Sequence, residues 1–232
     1  MSLYLIILLI SLAGPLAFSF EKNLRLYTRW KYLLPAILIT MVVFVTWDII
    51  FTHMDYWFFN PIYNSGIYIH KLPLEEYLFF IVIPYACAFS FYAVQFHFPK
   101  FKLNAQWTKV LTFLIVIISV ITSVFHRDLT YTFVNFLVLP MILLLSYYFA
   151  REVVNYYLAI YPILLIPFFI INGILTGTGI EQAVFEYNPE VILGIHVFSI
   201  PIEDIFYNFS LLLSPLVLTH IFEMRFRKTK SA

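Results

Sequence analysis

The chain has 232 residues, of which 62% are hydrophobic, 20% aromatic and 12% charged, where a soluble domain carries roughly 25% charged residues. Folded in water it would expose apolar surface, so the bilayer is its natural solvent. A net charge of +1 leaves no footprint for nucleic acid, and one cysteine, Cys87, allows neither an internal disulfide nor a Cys/His zinc site.

A spanning helix needs about 20 apolar residues, and seven segments supply them or nearly so. The first, Leu3–Phe20, has no basic residue before it and reads as a membrane helix rather than a signal peptide. Leu33–Ile50 follows, with Trp47 and Asp48 near its end. Then come Leu78–Phe96, Trp107–Phe125, Tyr131–Ala150, Tyr156–Leu175 and Ile205–Phe222. The expected fold is all-α, a polytopic membrane protein of about seven helices. Threading these spans alternately puts 12 of the 14 basic residues on one side: Lys22, Arg25, Arg29, Lys31, Lys100, Lys102, Lys109, Arg151, Arg225, Arg227, Lys228 and Lys230. Lys71 and Arg127 fall on the other. The positive-inside rule makes the basic side cytoplasmic. The expected location is the cell (inner) membrane, with the N-terminus outside and the basic tail inside. Ten of the 13 acidic residues lie on or near the outer side.

Residues 59–80 and 187–208 align without a gap, 128 positions apart. Asn60-Pro61 matches Asn188-Pro189, Gly66 matches Gly194, and Pro73 matches Pro201. Glu75-Glu76 matches Glu203-Asp204, and Phe79 matches Tyr207. The offset carries helices 1–3 onto helices 5–7 and leaves the fourth as a connector. The expected organisation is a first repeat at 1–98, a connector at 99–127, and a second repeat with the basic tail at 128–232. Moving four helices along restores direction, so the repeats are parallel and both acidic pairs begin helices at one membrane face.

Acids in a first helical turn complement the helix dipole, for about 0.3–1 kcal/mol. That accounts for one pair, but a repeated pair at the bilayer edge points to function. An apolar setting and a like neighbour both disfavour an ionised carboxyl, so one acid of each pair is expected to hold a proton it can donate. Phe79 and Tyr207 stand four residues after Glu75 and Glu203, on the same helical face, with Phe80 and Phe206 beside them. Aromatic faces stabilise cations, so the setting suits protonation of an alkene. Gly173, Gly177 and Gly179 lack the spacing of a nucleotide fingerprint. There is no D-D-x-x-D or G-x-S-x-G motif, and the six histidines are scattered. No cofactor or metal is expected.

These residues resemble the membrane-integral lycopene cyclase domain. That family occurs as two separate small subunits in some bacteria, as a tandem fusion, and as the cyclase half of a fungal fusion with phytoene synthase. The chain looks like the tandem form. Trp47-Asp48 is similar to the family's first-half pattern, while Leu175-Thr176 stands at the corresponding place in the second half. The resemblance implies an intramolecular lyase/isomerase that closes the ends of lycopene into β-ionone rings without redox change. It implies an acid–base set of Glu75, Glu76, Glu203 and Asp204. Substrate contacts are expected from Phe79, Phe80, Phe206, Tyr207, Asn60, Asn188, Trp47 and Asp48. Asn60 and Asn188 either orient the carboxyls or cap a loop, and Asp48 is either a partner of the acids or a helix end at the interface. The expected partners are a linear carotenoid, the lipid bilayer and other enzymes of carotenoid synthesis. A cyclase of C50 carotenoids and a small-solute transporter are the rival readings.

Overall fold

The computed structural model describes residues 1–230, with side chains as far as Phe226. The side chains of Arg227, Lys228 and Lys230 from the basic tail, and residues Ser231 and Ala232, lie outside what is described. Seven helices carry the fold: α1 (Leu3–Phe18), α2 (Trp30–His53), α3 (Leu74–His97), α4 (Ala105–Phe125), α5 (Thr130–Phe149), α6 (Arg151–Leu175) and α7 (Ile202–Lys230). Among the described residues, six of the seven expected spans are long and apolar enough to cross a bilayer, and the chain is a membrane protein. The expected first span, α1, has 16 residues and at 1.5 Å per residue reaches about 24 Å.

Two helices, α3 and α7, hold the bundle together. The first helix, α1, packs on α3 and α5 packs on α7, while α2 and α6 each touch both central helices. The packing is unequal, because α2 lies much closer along α7 than α6 does along α3. At the edge of the bundle α4 packs on α5, burying Thr108, Thr112, Ser119 and Ser123. Small side chains at such an interface let two helices approach closely.

The segments before α3 and α7 contain structure that the apolar spans do not predict. Strand β1 (Trp57–Phe59) pairs antiparallel with β4 (Phe185–Tyr187), so that Trp57 faces Tyr187, Phe58 faces Glu186 and Phe59 faces Phe185. Backbone bonds from Asn60 N to Val184 O and from Asn188 N to Tyr56 O, both 2.8 Å, close the ends of this ribbon. A 3-10 turn follows each strand, at Pro61–Tyr63 and Pro189–Val191. Each turn leads to a two-stranded hairpin, β2 (Tyr68–Ile69) with β3 (Leu72–Pro73), and β5 (His196–Val197) with β6 (Ile200–Pro201). Gly66 and Gly194 precede the hairpins at φ 77° and 72°, with open space where a Cβ would stand. Backbone conformation alone explains glycine at both positions.

The hairpins run straight into the central helices. Leu74 N bonds Ile67 O, and Ile202 N bonds Ile195 O, each at 2.9 Å. These helices therefore start three to four residues earlier than the apolar segments alone predict. All four acids of the two pairs lie in a first turn.

Candidate active site

The pairs are buried, with Glu75, Glu76, Glu203 and Asp204 at most 7% exposed. A buried carboxyl is costly unless its oxygens are hydrogen-bonded, and here the two members of each pair are satisfied in different places. Glu75 accepts from Ser2 Oγ at 2.6 Å, Ser65 N at 2.7 Å and Ser65 Oγ at 3.1 Å. Glu203 accepts from Thr132 Oγ1 at 2.5 Å and Leu193 N at 2.7 Å, and its other oxygen is buried without a partner. Each of these glutamates ties the loop ten residues before it to the start of a neighbouring helix. Neither lines the cavity described next.

That cavity lies between the central helices beneath the β1–β4 ribbon. Glu76, Asp204 and Asp48 open onto it, with Phe79, Phe80 and Tyr207 in its wall. Among the other expected contacts, Phe206 packs instead on Phe136 at 4.8 Å between ring centres. Trp47 stands behind Tyr207 at 5.1 Å. Asn60 and Asn188 cap the 3-10 turns, their Oδ1 atoms accepting from Ile62 N and Glu190 N. Of the two roles expected for these asparagines, loop capping is the one the contacts fit.

The two cavity acids have different surroundings. Glu76 accepts from Tyr4 OH at 2.7 Å and is in side-chain hydrogen-bond contact with Asp48 from α2. An ionised carboxylate only accepts, so a bond between two carboxyls requires a proton on one of them. Asp204 instead faces three donors: Tyr131 OH at 2.8 Å, Asn172 Nδ2 at 2.9 Å and Tyr187 OH at 2.6 Å. Loss of hydration and the neighbouring Asp204 charge hold the Tyr187 phenol well above its ordinary range, so it stays a donor. Asp204 thus has its contacts arranged for the anion, and Glu76 with Asp48 for a shared proton. The Tyr207 hydroxyl is buried among these three acids with no hydrogen-bond partner.

Tyr4, Tyr131, Asn172 and Tyr187 are the site residues that the repeat does not reveal. At an offset of 128, Tyr4 corresponds to Thr132 and Asn172 to Phe44, so the partners of the acids are not duplicated in register. Asn172 carried a weaker signal of its own, a polar amide in the last turn of an apolar span. Among the described residues, no group of three or more His, Cys, Asp or Glu is placed to hold a metal ion. A family model described as "Lycopene cyclase" matches residues 1–94 and 128–222. Searches of curated proteins and of solved structures give no match.

Proposed function

Since this chain belongs to the lycopene cyclase family, we propose that it closes the linear ends of lycopene into β-ionone rings by proton transfer inside the membrane. The observation that carries this reading is that an acid from each expected repeat, Glu76 with its partner Asp48 and Asp204 with its three donors, opens onto one aromatic cavity. The proton shared by Asp48 and Glu76 passes to the terminal double bond of a linear end. The neighbouring double bond attacks the resulting cation, forming the carbon–carbon bond of the ring and moving the charge onto the ring. Phe79, Phe80 and Tyr207 line the cavity around that charge, and aromatic faces stabilise cations in dry sites. Asp204 then removes a proton from the adjacent ring carbon, leaving the ring double bond. The unpartnered Tyr207 hydroxyl, set among all three acids, returns the proton to the Asp48–Glu76 pair. No electron is gained or lost, and the sum is an isomerisation.

Glu75 and Glu203 have a holding role in this scheme, fixing the loops and first helices against α3 and α7. The two repeats build one site, which sits toward the outer face, with the C-terminus cytoplasmic. The test is expression in a lycopene-producing bacterial host with pigment chromatography at matched protein levels. Glu76→Gln and Asp204→Asn are expected to lower ring closure by about 10²–10⁴-fold, the usual contribution of a general acid or base. Glu75→Gln and Glu203→Gln are expected to lower the amount of folded protein while preserving turnover per folded molecule. Wild-type β-carotene yield from both Glu76→Gln and Asp204→Asn would sink the mechanism.

A further inference from the structure

We propose that the polyene chain behind the reacting end lies in a second chamber, entered from the lipid between α1 and α6. The inference rests on the function proposed above. This chamber shares Phe79, Phe168, Asn172 and Asn208 with the site, so the two are neighbours with only these side chains between them. No carboxyl, lysine or arginine lines it, which fits a hydrocarbon. Pro15 of α1 and Pro167 of α6 both line the chamber. Proline inside a helix removes one backbone donor and clashes with the carbonyl four residues back, which bends the helix. The proposed entry lies between these two proline-containing helices. On the α3 side the wall is low, being made by Ala86, Cys87 and Ser90.

The other half of the molecule shows what this region looks like when filled. At an offset of 128, Ser11 becomes Leu139, Pro15 becomes Leu143 and Ile83 becomes Leu211. Asn172 and Asn208 become Phe44 and Phe80. Those five larger or apolar residues are all buried at 3% exposure or less. Correspondingly, α2 packs closely along α7, whereas α6 stands off α3. At Ser11, Pro15, Asn172 and Asn208 the chamber thus has a smaller or polar side chain where the other half buries a leucine or phenylalanine. A linear carotenoid is far longer than the first cavity, and this is the apolar space that adjoins it.

The test uses purified Glu76→Gln protein in detergent, which binds substrate without converting it, with co-purifying lycopene read by absorbance. Adding Ala86→Phe or Ser90→Phe is expected to reduce bound lycopene by about tenfold or more, since an overpacked site resists its ligand. Leu38→Phe, on the exposed face of α2, is expected to leave it unchanged. In the active enzyme the same fillers should slow closure of lycopene by a similar factor. They should spare a short polyene consisting of one end group, which needs the first cavity alone. Ser11→Leu, a milder filler already carried at position 139, serves if the larger ones lose their helical circular dichroism. Fillers that bind and convert lycopene as Leu38→Phe does, or that impair long and short substrates equally, overturn the chamber. If the wild-type enzyme closes neither substrate, the acid–base reading fails instead, and the binding measurement still decides on the chamber.

Discussion

Asp204 draws its three hydrogen bonds from three elements, α5, α6 and β4. Removing one donor leaves an acceptor short of a partner at the moment it must take a proton in the proposed cycle. A hydrogen bond to a charged group contributes about 1.5–3 kcal/mol, so Tyr187→Phe is expected to slow ring closure by roughly 10–100-fold. The check is pigment chromatography over time at equal protein level. A rate unchanged from wild type would mean that Tyr187 shapes the fold and not the base. The four acids were legible in the sequence because the repeat duplicates them in register. Their division into two inward and two clamping residues was not. The clamping hydroxyls sit at Ser2 and Thr132, and the tyrosines at Tyr4 and Tyr131, so the order of clamp and tyrosine along the chain is reversed between the halves. Periodicity cannot anticipate a partner that changes register.

Among the elements, the β1–β4 ribbon joins the two proposed repeats directly over the site. Its central pair, Phe58 and Glu186, stands 128 positions apart, so each is the other's counterpart at the repeat offset. Opposed residues of an antiparallel pair have Cα atoms about 4.5–5.5 Å apart, within the range a disulfide spans. Phe58→Cys with Glu186→Cys is therefore expected to form a bridge in an oxidising compartment, which the proposed outer location supplies. Maleimide labelling before and after reduction reads it directly, as two thiols released by the reductant. With the native Cys87 replaced by serine, labelling of both new thiols before reduction would contradict either the register in the membrane or the outer location. These strands left no trace in the sequence, because two or three residues are too few to show alternation. The helices were legible from apolar length. The starts of α3 and α7 were legible from the acidic pairs rather than from the apolar pattern, and hairpins hold Leu74 and Ile202 there.

Viewed whole, the molecule draws Asp48 and Glu76 of its site from before the loop between α3 and α4, and Asp204 from after it. Cutting the chain after residue 98 and expressing 1–98 with 99–232 is expected to restore β-carotene in a lycopene-producing host, while either piece alone gives none. Activity from a single piece would refute a shared site. A reporter fused after Phe226 is expected to lie in the cytoplasm, and an external reporter would reverse the proposed orientation. The helix count was legible from hydropathy, but the unequal packing of α2 and α6 was not, since both are apolar throughout and differ in which side chains face inward. That inequality bears on the order of events. Under the entry proposed above, a symmetric linear molecule presents one end at a time, and its second end lies far out toward the lipid while the first reacts. After the first closure the molecule must leave, turn end for end and enter again. Catalysis is then distributive. At low enzyme the monocyclic product should accumulate ahead of the bicyclic one in a chromatographic time course, and a molecule once released should compete with fresh lycopene for its second ring.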